Sequence, residues 1–155
     1  RDGLKDVIIN GFNERLKMDG YKLKTGFTGT PLILLALFDN DLDIDAYRFL
    51  FNHRFPGWIY AINLRATTIW ERWNSLLEDG TISDIFMNSL NHYAYGSVCQ
   101  AIYTRIVGLK NLSPGWKKVS IQPHLNYRLK KLNFLIIQLL EDMTFPGDMM
   151  KLNFI

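Results

Sequence analysis

Leu32 to Phe38 carries an apolar side chain at every position. A helix built from such a run has no face to give to water, so other elements must enclose it. Thr30 and Pro31 stand immediately before it. A capping hydroxyl followed by proline at the first helical position is a good helix start. The run falls far short of the roughly 20 apolar residues that span a bilayer, so it predicts an inner helix and no membrane association. A chain of 155 residues, 48% hydrophobic and 21% charged, is long enough to build the cover and reads as soluble and globular.

The cover is helical as well. Leu4, Ile8, Phe12 and Leu16 recur at four-residue spacing, one face of an amphipathic helix, and Gly20 is its stop. Thr25 to Gly29 reads as a turn. The acids Asp39, Asp41, Asp43 and Asp45 alternate like the start of a calcium loop, but no glycine marks the sharp turn and no glutamate closes it. They read instead as a turn whose charges favour the N-terminus of the next helix. That helix carries Ala46, Phe49 and Leu50 inward and ends near Phe55, because Pro56 disfavours helix in the residue before it. Residues 56–87 read mostly as loop. A long helix is expected from about Ser89 to Val107, with Tyr95, Val98, Ile102, Tyr103 and Ile106 as its apolar stripe and Gly108 as terminator. From Pro114 the period changes. Trp116, Val119 and Ile121 alternate with Lys118, Ser120 and Gln122, a strand pattern that Pro123 ends.

Several function classes are disfavoured. The net charge is +3, and Lys117-Lys118 and Lys130-Lys131 are only pairs, so no nucleic-acid partner is expected. His53, His92 and His124 show no ligand spacing, so no metal and no cofactor is expected. Cys99, the single cysteine, cannot form an internal disulfide and reads as a small buried residue. Asn111-Leu112-Ser113 matches a glycosylation sequon by chance. No signal peptide opens the chain, and Arg1-Asp2-Gly3 reads as the interior of a longer polypeptide.

The chemistry concentrates at Thr67-Thr68-Ile69-Trp70-Glu71-Arg72-Trp73. One carboxylate stands between two tryptophans with an arginine beside it. Aromatic faces cover the C–H faces of a sugar, and a carboxylate can move the proton in glycoside cleavage. A buried helix turn with an internal Glu71–Arg72 ion pair would account for the same residues.

Three further segments separate these readings: Thr25-Gly26-Phe27-Thr28-Gly29-Thr30-Pro31, Phe55-Pro56-Gly57-Trp58-Ile59-Tyr60, and Met87-Asn88-Ser89-Leu90-Asn91-His92-Tyr93-Ala94-Tyr95-Gly96-Ser97. In this order and spacing, from about Lys5 to His124, the chain resembles the C-terminal part of the catalytic domain of bacterial α-L-rhamnosidases, glycoside hydrolase family 78. The resemblance implies a mainly α fold. Residues 1–112 would form the last helical hairpins of an (α/α)6 toroid of the six-hairpin glycosidase type. Residues 113–155 would begin a C-terminal β-sandwich, with Gly115 to His124 resembling its first strand.

The family is inverting, and its general base is the glutamate matched by Glu71. The resemblance makes Glu71 the catalytic residue and His92 a substrate contact. The family's general acid lies upstream of anything in this chain. Glu78, Asp79 and Asp84 read as solvated loop groups, so the chain alone should not hydrolyse glycosides. Trp58, because it falls in the stretch read as loop, and Trp73 are the candidate walls for the methyl group of a 6-deoxy sugar, buried at roughly 25 cal/mol per Å². The implied partners are rhamnose-containing glycosides or polysaccharides and the remainder of the parent polypeptide, in a bacterial cytoplasm or periplasm. A piece of an opened ring should be poorly soluble alone. A non-catalytic helical sugar-binding or interaction module, or a toroid glycosidase of other sugar specificity, are the alternatives. After His124 the likeness fades. A frameshift from about Leu135 to Ile155 would explain this, with ordinary divergence as the competing account; the coding DNA decides.

Overall fold

The computed structural model describes residues 2–84, 86–124 and 126; the Leu135–Ile155 frameshift reading lies outside them. The chain divides into two compact units between Val98 and Cys99.

In the first unit, α1 (Asp2–Met18), α2 (Thr30–Phe38), α3 (Asp43–Leu50) and α4 (Trp58–Asn63) precede a 3-10 turn at Ala94–Ser97. The enclosed helix is α2: Ile33, Leu34, Leu37 and Phe38 are buried against α3 and the Ala94–Ser97 turn, and Leu32 and Ala36 on its outer side are exposed. Thr30 does not cap it. The preceding Gly29 is the N-cap, and the Thr30 hydroxyl is buried, donating to the Thr25 carbonyl and meeting the Thr25 hydroxyl at 2.9 Å. On α3, Ala46, Phe49 and Leu50 are buried as their spacing requires.

Other expectations need correction. The α3 helix stops at Leu50, not near Phe55. The cause is Asn52, whose amide donates to the Gly20 and Tyr21 carbonyls while its oxygen accepts the Arg54 N–H, which turns the chain away before proline is reached. On α1 only Leu16 of the four-residue stripe is buried, and Leu4 and Ile8 are exposed. Among the described residues no group of three or more His, Cys, Asp or Glu side chains is placed to hold a metal ion. Within α3, Asp45 accepts the Tyr21 hydroxyl at 2.7 Å and an Arg48 N–H at 3.3 Å. No helix of the described residues is long and apolar enough to cross a membrane.

In the second unit, Ala101, Ile106 and Val107 are buried, whereas Cys99 is exposed, which corrects its expected burial. It shares an outward side with Gln100, while Ala101 takes the inward position. Strands β1 (Leu109–Asn111) and β2 (Val119–Ile121) pair antiparallel, with Lys110 opposite Ser120. Trp116, expected at the start of the strand, lies in a 3-10 turn at Pro114–Trp116. Gly108 terminates the preceding helical turn at φ +69°, and a side chain there would strike the Gln122 backbone. Only glycine fits that crossing. The described residues are mainly α, with a small two-stranded sheet between Leu109 and Ile121.

Candidate active site

The Trp70-Glu71-Arg72-Trp73 segment is not a helix turn, and Glu71 makes no ion pair among the described residues. Residues 68–71 instead lie alongside residues 89–92. The Glu71 N–H donates to the Ser89 carbonyl at 2.9 Å and the His92 N–H to the Ile69 carbonyl at 2.7 Å. The Thr68 hydroxyl donates to the Leu90 carbonyl. The Ser89 N–H donates to Glu71 Oε2 at 2.8 Å. One oxygen of the carboxylate is thereby fixed. Its partner, Oε1, accepts no hydrogen bond among the described residues, and the side chain is half-buried.

This contact also corrects the expected helix start. Helical structure begins at Ala94, not Ser89, because residues 68–71 engage the Ser89, Leu90 and His92 backbone first. His92 therefore lies just before the helical turn. Its Nδ1 accepts the Ala94 N–H at 3.3 Å. A nitrogen that accepts cannot carry the proton, so in the neutral ring Nε2 bears the hydrogen and serves as donor.

Rings connect His92 to the core. Phe49 on α3 meets Trp58 edge-on, and Trp58 meets Trp73 edge-on at 5.5 Å. Trp73 stacks on Tyr95 at 3.8 Å, Phe27 tilts against Tyr95, and Phe27 stacks on His92 at 5.2 Å. Tyr93, 85% exposed, also stacks on the imidazole, at 4.9 Å. Burial pushes the Tyr95 phenol above its usual range.

Trp58 corrects the loop reading. It is the first residue of α4, is buried, and its indole N–H donates to the Tyr95 carbonyl at 2.9 Å. Of the two candidate walls, only the half-buried Trp73 keeps accessible surface beyond the core; its indole N–H reaches the Thr25 carbonyl at 3.5 Å. The exposed loop acids remain outside this arrangement. Asp79 accepts the Thr81 N–H and hydroxyl, which hold its carboxyl below the usual carboxylate range.

Sequence reasoning missed Ser89, Phe27, Tyr95 and the use made of Arg72. The guanidinium of Arg72 leaves Glu71 aside and donates to two successive carbonyls, from Nε to Met87 at 3.1 Å and from Nη2 to Phe86 at 3.2 Å. The adjacent Asn88 amide donates to the Ser75 and Ser83 carbonyls. The signal available was the divergence of neighbouring side chains; their targets were not.

Residues 2–106 match the family model of the bacterial alpha-L-rhamnosidase 6 hairpin glycosidase domain. An alpha-L-rhamnosidase of Formosa agariphila is 47% identical over 111 residues, 71% of this chain and 12% of that protein. The crystal structure of a Streptomyces avermitilis alpha-L-rhamnosidase complexed with L-rhamnose matches with a TM-score of 0.74 and 38% identity, over 81% of this chain and 12% of that one. The native enzyme from Aspergillus terreus matches with a TM-score of 0.67 and 37% identity, over 71% and 13%. The chain thus spans about an eighth of the length of these relatives, and by its sequence and its fold it belongs to the bacterial α-L-rhamnosidase six-hairpin glycosidase family.

Proposed function

We propose that this chain supplies the water-activating half of an inverting α-L-rhamnosidase site, within a polypeptide that provides the general acid. Residues 1–112 would close the C-terminal part of the helical toroid, and residue 113 would open the sandwich. The substrates would be glycosides or polysaccharides ending in α-L-rhamnose.

Glu71 is the base. The observation that carries this reading is the half-fixed carboxylate, with Oε2 on the Ser89 N–H and Oε1 free to take a proton from water. In an inverting reaction that water attacks the anomeric carbon from the face opposite the leaving oxygen, while a second carboxyl group protonates the leaving oxygen. His92, its Nδ1 occupied, donates from Nε2 to a sugar hydroxyl. Trp73 offers the apolar wall, and Trp58 supports it from behind. Without the acid the leaving oxygen keeps its negative charge, so the chain alone hydrolyses no unactivated glycoside.

The test is Glu71→Gln in the full-length polypeptide, assayed on p-nitrophenyl α-L-rhamnoside. Removing a general base costs about 10²–10⁴-fold in turnover. Near-normal turnover would refute the assignment.

A further inference from the structure

We propose that Arg72 is a positioning residue for Glu71, an inference that rests on Glu71 being the base. Two consecutive residues hold one loop at its two ends, with opposite chemistry. The Arg72 guanidinium takes the Phe86 and Met87 carbonyls, and the Glu71 carboxylate takes the Ser89 N–H.

A guanidinium presents neighbouring N–H groups in one plane, a fork that a lysine ammonium cannot reproduce. Successive carbonyls of extended backbone point to opposite sides and could not share that fork. Met87, the residue between the two carbonyls, has φ 58°, a left-handed conformation uncommon outside glycine. The loop thus holds an unfavourable backbone conformation where Arg72 grips it. Two residues further on, the same loop delivers the N–H that fixes Oε2. Releasing the grip lets Met87 relax and moves the Ser89 N–H, and the carboxylate loses its aim.

Arg72 is not needed to hold the loop in the fold. Asn88 ties it to the Ser75 and Ser83 carbonyls from the other side, and the Ser75 hydroxyl donates to the Arg72 carbonyl, a bond that survives any change of the Arg72 side chain.

The experiment uses the full-length polypeptide with Glu71→Ala, Arg72→Met and Arg72→Lys, on p-nitrophenyl α-L-rhamnoside with and without sodium azide. Azide needs no base. Its nitrogen brings an electron pair to the anomeric carbon, the glycosidic C–O bond breaks, and that pair leaves with nitrophenolate; no proton moves.

Arg72→Met should lower kcat by about tenfold or more, since a displacement near 1 Å costs up to about 10²-fold. KM should stay within about twofold, and azide should restore the rate while forming the β-configured rhamnosyl azide. Arg72→Lys should fall between wild type and Arg72→Met. If Arg72→Met does not fold, Arg72→Lys carries the test by the same readouts. Wild-type kcat in the folded variants, or a loss that azide does not restore while it restores Glu71→Ala, overturns this proposal alone. A Glu71→Ala enzyme with normal turnover, or one that azide cannot restore, overturns the base assignment and this proposal with it.

Discussion

The α2–α3 pair and the contact between residues 68–72 and 86–92 are held by different forces. In the first, Leu34, Leu37, Ala46 and Phe49 are almost fully buried, and attraction comes from apolar surface removed from water. In the second, Thr68, Met87 and Leu90 are exposed, and the segments are joined by hydrogen bonds that involve backbone groups. Burial has no direction and tolerates small shifts. Hydrogen bonds weaken steeply with angle and distance. The core therefore governs whether the chain folds, and the site contact governs where two side chains point once it has.

Leu37→Ala is the strongest way to break this contrast. Leu37 is fully buried, and leucine-to-alanine changes at such sites cost about 2–5 kcal/mol, transfer and cavity terms together. Urea denaturation measures it. A loss below about 1 kcal/mol would mean that the α2 face is not the structural centre.

Alkaline unfolding sharpens the same contrast. Burial, with the charge of Asp43 adding to it, pushes the Tyr47 phenol from 10.0 to about 12. The folded chain then keeps a proton that the unfolded chain releases. Stability from this group is complete below pH 10.0 and is lost as pH rises through about 12. Tyr47→Phe should flatten that decline when denaturation is followed across this range. Burial raises Tyr60 and Tyr95 in the same direction, so part of the slope persists. An unchanged slope in Tyr47→Phe would place the titration elsewhere.

The same division decides what the sequence made legible. The apolar run 32–38, the inward positions of α3 and the glycine at 108 follow from periodicity and local sterics, and the structure has them. The resemblance supplied the family. What stayed hidden depended on partners far along the chain. Nothing near Ser89 shows that its N–H is spent on a carboxylate 18 residues earlier, so periodicity alone extends the helix back beyond Ala94. Trp58 looked like a loop residue because the loop reading ran through Pro56, whereas the chain enters α4 directly after Gly57 and encloses the indole. The apolarity of its neighbours does not fix the side of the helical turn on which Cys99 lies, and the thiol is exposed.

Thr68→Val has the smallest expected effect on stability and separates the two regions most cleanly. Its hydroxyl donates to the Leu90 carbonyl, and both residues are exposed. A typical intramolecular hydrogen bond contributes about 0.5–1.5 kcal/mol net, and water can replace this one, so the denaturation midpoint should barely move. Valine keeps the branched shape, so packing is preserved. The bond's acceptor, Leu90, stands between Ser89 and His92, whose N–H groups bond to Glu71 and Ile69. Loosening it lets residues 89–92 drift relative to residues 68–71, and in the full-length polypeptide KM for p-nitrophenyl α-L-rhamnoside should rise several-fold. Kinetics and urea midpoints on the same preparation decide the matter. If the two change in proportion, the site contact is simply part of the core, and the separation drawn between burial and aim fails.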